Sequence, residues 1–265
     1  MLRSWLLLLL LVVGAVTADD RRPVLALVID DLGYSFEPGR KALELSGDHT
    51  YAILPDAVYS RKLARHAYQL DREVILHLPM QSINSNAAHE PGALNEAMDE
   101  DELTLKVHSL LASVPHIRGV NNHMGSHLTE YDFFMRPVMD SIRSYNPSLY
   151  FLDSRTSPRS VAYSQALEAG LDTISRDVFL DNELSLEAIN RQYDIWLAQA
   201  REQGFAIAIG HPHANTLEVL QKRLAESGEE FRFMRISELI EAHRAGRLVP
   251  GWDGQVTTLG ISSRY

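Results

Sequence analysis

Short apolar runs alternate with longer stretches of helical spacing along most of the chain, and this alternation constrains the fold more than any other feature. The runs are rich in β-branched and other apolar residues, as strands are, and end at polar residues. We predict strands over Val24–Ile29, Tyr51–Leu54, Val74–Leu78, Ile117–Val120, Leu149–Leu152, Thr173–Val178, Phe205–Ile209 and Phe231–Ile236. Strand and helix repeated without a long linker indicate a parallel sheet, either open or closed.

Polar clusters lie directly after nearly all of these runs. The clusters are Asp30-Asp31, His77, Asn121-Asn122-His123, Asp153-Ser154-Arg155, Arg176-Asp177 and His211-Pro212-His213. In a parallel barrel the C-terminal ends of the strands share one rim, where catalytic groups gather. In an open doubly wound sheet such groups come mostly from the strands beside one switch point. Six contributing strands therefore favour an α/β fold, an irregular (β/α) barrel of about seven to eight parallel strands.

The two ends of the chain are predicted to lie outside this barrel. Residues 1–18 combine Arg3, an apolar run and the small-residue end Val16-Thr17-Ala18, which is typical of a secretory signal peptide. We expect cleavage after Ala18, with an uncleaved anchor as the alternative, and a periplasmic or secreted body without a membrane span after cleavage. The barrel domain is predicted over residues 19–248, followed by a C-terminal tail over 249–265.

Composition and missing motifs exclude several classes of protein. The formal net charge of -10 argues against a nucleic-acid partner, because no basic stripe is present to contact phosphates. With no cysteine, the chain has neither disulfides nor a thiol nucleophile. Neither a phosphate-binding glycine loop nor a G-x-S-x-G elbow occurs, which excludes dinucleotide enzymes and serine hydrolases of that fold.

Asp30 and Asp31 follow a run that is predicted to be a fully buried central strand. Burying two adjacent carboxylates is costly unless something neutralises them. A metal ion would do so, with one carboxylate as ligand and the other free to act as a base. The alternative is that one aspartate caps the following turn, which explains only one of the two.

His123 and His127 are four positions apart in the sequence. If the run between them forms a helical turn, both imidazoles lie on one face and can bind one cation. This spacing is weak evidence in a chain with 11 histidines. The aspartate pair strengthens the hypothesis of a metal site.

Several strings resemble the divergent bacterial branch of the polysaccharide deacetylase superfamily, the NodB-like carbohydrate esterases. The strings are Ile-Asp-Asp-Leu-Gly at 29–33, Asn-His-Met-Gly-Ser at 122–126, Phe-Leu-Asp-Ser-Arg-Thr at 151–156 and Arg-Asp-Val-Phe-Leu-Asp at 176–181. The resemblance covers roughly residues 24 to 245. It implies a distorted (β/α) barrel, a divalent cation that is usually zinc, and hydrolysis of N- or O-acetyl groups on a polysaccharide or peptidoglycan-like glycan.

The resemblance also implies roles for single residues. The implied metal ligands are Asp31, His123 and His127, with Asp30 as general base. The general acid is His211, and either Arg155 or Arg176 orients the base. Bound to three protein ligands, such a cation would lower the pKa of a water molecule toward about 7.

Some positions depart from the family pattern. Met124 stands where the family has Ser or Thr, and the family's arginine motif is not found as such. The late histidine motif is Gly210-His211-Pro212-His213, so His213 is an alternative acid. These departures concern the acid, the arginine and the substrate pocket more than the metal site.

The remaining candidates are substrate contacts. We assign His77 and Asp153 to the rim, with Asp153 pairing near Arg155, and Tyr34 as an aromatic platform for a sugar ring. Two further functions stay open. One is a weakly catalytic or inactive glycan-binding protein of the cell envelope that acts through a protein partner, and the other is a different metal-assisted hydrolase on the same site.

Overall fold

The computed structural model describes residues 22–83 and 92–245, so the predicted signal peptide, its cleavage site and the tail lie outside the described residues. The strands are β1 Val24–Leu32, β2 Thr50–Ile53, β3 Glu73–Met80, β4 Ile117–Met124, β5 Tyr150–Asp153, β6 Thr173–Ser175, β7 Val178–Phe179, β8 Phe205–Gly210 and β9 Arg232–Phe233. The helices are α1 Phe36–Leu43, α2 Ser60–Gln69, α3 Glu100–Ser113, α4 Asp132–Tyr145, α5 Ala162–Glu168, α6 Leu186–Gln203, α7 Ala214–Ser227 and α8 Ile236–Arg244. None of the helices within these ranges is long and apolar enough to cross a membrane.

All strand pairs in the described ranges are parallel and form one curled sheet, in the order β6-β5-β4-β3-β2-β1-β8-β7, with β9 paired to the start of β1. This architecture confirms the predicted irregular (β/α) barrel of the NodB-like type. The order also places two short strands, β6 and β7, at the opposite ends of the sheet.

The single strand predicted over Thr173–Val178 is wrong, because this segment forms both edges of the sheet. The two residues between β6 and β7 bond to different neighbours. The amide of Arg176 donates to the carbonyl of Asp153 in β5 (3.0 Å), and the amide of Asp177 donates to the carbonyl of Ile207 in β8 (2.9 Å). In a regular barrel the two edges of the sheet, β6 and β7, would pair with each other. We call the gap between them the seam, and the peptide groups of Arg176 and Asp177 bridge it.

Alternation along the strands separates two apolar clusters. In β1, Leu25 and Leu27 pack outward against the surrounding helices. Val24, Ala26 and Val28 face inward, where they meet apolar side chains of other strands and of α8. Since α8 follows β9 and packs into this inner cluster, it covers the N-terminal end of the barrel. The C-terminal end carries the polar clusters.

Candidate metal centre

The inward-facing rows of three strands change from apolar to polar as they approach the C-terminal rim. In β1 the row that begins at Val24 reaches Asp30, and in β3 the row that contains Ile75 reaches His77. The register pairs His77 with Asn121 and Pro79 with His123, so β4 contributes Asn121 and His123 to the same face. Strand alternation alone therefore brings these polar side chains into the mouth of the barrel.

Asp31 would face away from Asp30 in a regular strand, but β1 is irregular at this point. The register between β1 and β2 shifts between Ile29 and Leu32. Asp31 itself has a φ of 60°, in the left-handed region that non-glycine residues rarely adopt. This local irregularity turns the second carboxylate toward the site as well, and such backbone strain is concentrated at functional sites.

Asp31, His77 and His123 each point one donor atom at a common position. Asp31 Oδ1 lies 3.1 Å from His77 Nε2 and 3.0 Å from His123 Nδ1, and the two ring nitrogens are 3.0 Å apart. Ligand atoms of a tetrahedral zinc site lie about 3.3 Å apart, given bonds of about 2.0–2.2 Å. The three atoms therefore have the spacing of a metal site.

The hydrogen bonding of Asp31 tests whether a cation fits here. Its Oδ1 atom is buried and makes no hydrogen bond of acceptable geometry within the described part of the chain, although two imidazole nitrogens lie next to it. Buried polar atoms are nearly always hydrogen-bonded, and an exception requires an explanation such as a bound ion. A divalent cation bound by all three atoms would explain the arrangement.

Asn121 connects this group to the neighbouring carboxylate. Its side-chain oxygen lies 2.8 Å from Nδ1 of His77, and its side-chain nitrogen donates to Asp30 Oδ1 at 2.9 Å and to Ser154 Oγ at 3.2 Å. Because an amide oxygen can only accept, His77 must carry its proton on Nδ1, which leaves the lone pair of Nε2 facing the site. Such partners fix the tautomer and orientation of metal-binding histidines.

The two adjacent aspartates have opposite pKa shifts. Burial raises the pKa of Asp30, against the lowering influence of His77 and His211. Burial also works to raise the pKa of Asp31, but the imidazoles of His123 and His77 outweigh it and hold that pKa well below its ordinary value. Neighbouring carboxyl groups with separated pKa values are suited to different roles, one as ligand and one as base.

His211 and Asp181 form a second pair on the β8 side of the rim. His211 Nδ1 lies 2.9 Å from Asp181 Oδ1, and its Nε2 lies 3.9 Å from Asp31 Oδ2. Burial lowers the pKa of His211, but the hydrogen bond and charge of Asp181 prevail and raise it to about 9. A protonated imidazole therefore faces the aspartate pair.

Asp181, His211 and His213 also have the spacing of metal ligands. However, both oxygens of Asp181 already accept hydrogen bonds: Oδ2 from the His211 amide (2.7 Å) and from Thr216 Oγ1 (2.8 Å), and Oδ1 from the His211 ring. The pair is therefore satisfied as an Asp–His hydrogen-bonded dyad. His213 is exposed, immediately before α7, with its ring 5.7 Å from that of His211.

The structure does not bring His127 into the group of Asp31, His77 and His123. The helical turn that would align His123 with His127 does not form, because β4 continues through Met124. Positive φ angles at Met124 (52°) and Gly125 (86°) then turn the chain away. His127 Nε2 instead lies 2.8 Å from Glu96 Oε2.

Neither predicted arginine donates a hydrogen bond to Asp30 within the described ranges; Asn121 does. Arg176 is partly buried and donates to the carbonyls of Ser154 (2.7 Å) and Arg155 (2.9 Å), so it holds the loop after β5. Burial lowers the pKa of Arg176. Arg155, at the start of this loop, adopts the left-handed backbone conformation, with a φ of 48°.

Asp153 and Tyr34 lie on different sides of the rim. Asp153 is buried, accepts from the Arg155 amide (2.8 Å) and from Ser160 Oγ (2.9 Å), and has a pKa raised by burial. These contacts fix the loop after β5. Tyr34 is 56% exposed and lines a cavity of about 180 Å³ together with Leu54, Pro55 and Pro79. Tyr34 is therefore accessible beside the ends of β2 and β3.

Fold and site together define an α/β barrel with a carboxylate and histidine centre at its C-terminal rim. The chain belongs to the divergent polysaccharide deacetylase family, whose sequence profile matches residues 27–240. This match confirms the resemblance drawn from the short strings.

Other proteins of known sequence or structure are similar to this chain. The chain is 35% identical over 226 residues to an uncharacterized protein of Escherichia coli K12, YibQ, covering 85% of this chain and 70% of the relative. An uncharacterized protein of Haemophilus influenzae is 34% identical over 215 residues, covering 81% and 76%. The crystal structure of the uncharacterized protein ATU2773 from Agrobacterium tumefaciens C58 shares the fold, with a TM-score of 0.78, 23% identity and coverage of 83% and 89%.

Proposed function

We propose that this protein is an exported, metal-dependent hydrolase that removes N- or O-linked acetyl groups from a polysaccharide. The observation that carries the proposal is the group of three ligand atoms from Asp31, His77 and His123, which lie 3.0–3.1 Å apart; one of them, the buried Asp31 Oδ1, makes no hydrogen bond of acceptable geometry within residues 22–83 and 92–245. Membership of the divergent polysaccharide deacetylase family supports the substrate class. The signal-like N-terminus supports export.

The proposed cofactor is a divalent cation, with zinc as the expected ion, because imidazole and carboxylate ligands suit zinc. When bound, such a cation lowers the pKa of a water molecule and polarises the acetyl carbonyl. The ligand set differs from the one that the family resemblance implied, since His77 takes the place of His127. His77 is the better candidate because its Nε2 atom already lies beside Asp31 and its tautomer is fixed by Asn121.

The surrounding side chains provide the proton transfers. Asp30 is the proposed base: Asn121 holds its Oδ1 atom, and its Oδ2 atom lies on the side of His77 (3.7 Å from Nε2), where it can take a proton from water. His211 is the proposed acid: Asp181 holds its Nδ1 atom, and Nε2 faces the site to donate a proton to the leaving amine or alcohol.

The decisive experiment is the metal content of the purified mature protein, measured by elemental analysis. We expect about one equivalent of zinc or a similar cation in the parent and a loss in the Asp31→Ala, His77→Ala and His123→Ala variants. His127→Ala is the matched control, since it removes an imidazole from the turn directly after β4 and is expected to keep the metal. Loss of metal in His127→Ala together with retention in His77→Ala would reverse the ligand assignment.

Acetate release from acetylated glycans then tests the reaction. We expect the metal-loaded parent to release acetate and Asp30→Asn to release far less while keeping its metal. A parent that binds metal and glycan but releases no acetate would favour the glycan-binding alternative, in which the protein acts in the envelope through a partner. A parent that binds no metal after reconstitution would refute the deacetylase mechanism.

A further inference from the structure

An exposed group of aromatic side chains lies at the start of α4. Tyr131 is 40% exposed and Phe133 is 63% exposed, and their ring centroids are 5.5 Å apart. Phe134 packs beneath them, 4.2 Å from Phe133 and 6.3 Å from Tyr131. We call Tyr131 and Phe133 the rim aromatic patch. Adjacent exposed rings are unfavourable in water, and such clusters often mark binding sites.

Backbone contacts place this patch at the same end of the barrel as the metal centre. The turn after β4 is attached to β3, because the amides of His127 and Leu128 donate to the carbonyl of Gln81 (3.2 and 3.3 Å), one residue after β3 ends. These two strands carry His77 and His123. The His127 ring in turn contacts Tyr131, with centroids 5.3 Å apart. A continuous run of contacts therefore leads from the metal-binding strands to the patch.

Polar groups border the patch at fixed positions. His127 Nε2 lies 2.8 Å from Glu96 Oε2, and the Glu96 amide donates to Gln81 Oε1 at 2.9 Å. The Glu96 side chain is 55% exposed, so it is held in place and can still be reached by a ligand. The hydrogen bond from His127 lowers the pKa of Glu96 and keeps it a hydrogen-bond acceptor.

Exposed aromatic rings beside fixed hydrogen-bonding groups match the chemistry of a sugar residue. A pyranose ring has an apolar C–H face that packs on an aromatic ring, and hydroxyls at its edge that bond to carboxylate and imidazole groups. A protein partner would need a wider apolar surface, since specific interfaces bury roughly 800 Å² per partner. The two rings and their charged border are much smaller than that.

We propose that the rim aromatic patch, with Glu96 and His127, binds a sugar residue of the polymer next to the residue at the metal centre. Tyr131 and Phe133 pack against the sugar face, and Glu96 and His127 bond to its hydroxyls. The substrate is therefore a chain engaged over several units rather than a single acetylated sugar. This inference rests on the proposed function for the position of the neighbouring residue.

The test compares binding of long and short glycans without any need for turnover. The probes are the hexamer and the monomer of β-1,4-linked N-acetylglucosamine, and the hexamer and monomer of acetylated β-1,4-xylose, titrated calorimetrically into metal-loaded Asp30→Asn protein. We expect at least one hexamer to bind more tightly than its monomer. In that background Phe133→Ala and Tyr131→Ala should each weaken hexamer binding about 10-fold and leave monomer binding unchanged.

Tyr68→Ala is the matched control. Tyr68 is an aromatic residue that is 61% exposed, at the end of α2 and therefore at the opposite end of the barrel, where it stacks on His116. Its variant should bind both probes like the parent. Equal weakening by Tyr68→Ala, unchanged hexamer binding in the patch variants, or no preference for either hexamer would overturn the inference. So would a concentration-dependent dimer that Phe133→Ala abolishes, because the patch would then be a protein interface.

The outcomes also separate this inference from the proposed function. Hexamer binding that depends on Phe133, together with no acetate release from the parent, would refute the hydrolase and leave the sugar site in place. Acetate release that is insensitive to Phe133 and to chain length would support the hydrolase and refute the sugar site.

Discussion

The two ends of the barrel both contain buried polar side chains, but their hydrogen bonding differs. At the N-terminal end, Glu73 is buried at the start of β3. Its Oε1 atom accepts from Thr50 Oγ1 (2.8 Å), Tyr150 OH (2.8 Å) and the amide of Ser237 (3.2 Å). Gly119 makes room for this cluster, since a Cβ atom there would lie 2.5 Å from the Tyr150 ring. The Glu73 cluster joins three strands to α8 and holds the fold together.

At the C-terminal end the side chains are also buried, yet the network is incomplete. Asp30 has Asn121 as a partner, whereas Asp31 Oδ1 lies beside two imidazoles without a hydrogen bond in the described residues. Satisfied buried networks make a structure rigid, whereas an unsatisfied acceptor beside two imidazole nitrogens indicates that something else binds there. The comparison teaches that burial of polar groups alone does not identify a site; an unpaired carboxylate oxygen with further ligand atoms around it does.

Substitutions at the two ends should change the free energy of unfolding by different amounts. Glu73→Ala leaves two hydroxyls and an amide without their acceptor, so we expect the free energy of unfolding to fall by about 3 kcal/mol, measured by urea denaturation of metal-free protein. Asp31→Ala should lower it by less than Glu73→Ala does, because the lost attraction to His123 and His77 is partly offset by the removal of a like charge beside Asp30. Glu73→Gln, which keeps an acceptor, should lose less than Glu73→Ala. Similar losses for Asp31→Ala and Glu73→Ala would mean that the two ends do not differ.

A second substitution tests whether Asn121 supports metal binding at the C-terminal end. Asn121→Leu removes the acceptor for His77 Nδ1 and the donor to Asp30, and we expect zinc affinity to fall about 10- to 100-fold in a chelator competition assay. Ser154→Ala is the control, since it loses only the longer bond to Asn121.

Asn121→Asp sharpens the same test. It keeps an acceptor for His77 but places a second carboxyl group against Asp30, so zinc should be retained while acetate release is lost. Equal zinc affinity in the parent, Asn121→Leu and Ser154→Ala would show that Asn121 has no part in metal binding.

The smallest expected effect concerns pH and the N-terminal end. His49 is fully buried before β2, and burial lowers its pKa to about 4. The unfolded imidazole, with a pKa near 6.5, takes up a proton first, so the folded state loses stability as pH falls from about 6.5 to about 4. At pH 5.5 this loss is about 1 kcal/mol relative to pH 7.5.

His49→Gln should remove this part of the pH dependence in urea denaturation curves recorded between pH 4.5 and 7.5. Zinc content at pH 7.5 should stay that of the parent, because His49 lies at the opposite end from the metal centre. An unchanged pH dependence in the variant would show that another group is responsible.

Much of the fold follows from the sequence, because apolar runs and helical spacing are local patterns. The strand limits were less accurate where function intervenes: His77 lies inside the run predicted for β3, but β1 and β4 extend beyond the predicted runs and contain Asp31 and His123. Polar residues ended the predicted runs, yet these side chains continue the strands because the barrel mouth accommodates them. The link at Arg176 and Asp177 was also missed, since a short strand and a seam have similar local composition.

The site was harder to predict than the fold, because its contacts cross between strands. The spacing of His123 and His127 suggests a pair only if the chain is helical there, whereas the strand register brings His77 near His123. Asn121 lay in a cluster that the sequence singled out, but its partners Asp30 and His77 are 91 and 44 residues away. Asp181 contacts His211 across 30 residues. His77 was assigned to the rim as a substrate contact; continuing the inward-facing row of each strand would have suggested it as a ligand, with Asn121 beside it.

The seam between β6 and β7 has a consequence for solubility. A sheet with free edges offers amide and carbonyl groups to strands of other molecules, which promotes aggregation, and natural proteins limit this risk by keeping edge strands short. Here the edge strands have three and two residues, so a strand of another molecule could pair with only a few backbone groups. An incompletely closed barrel can thus keep its mouth open on one side without presenting a long template for intermolecular β-sheet formation.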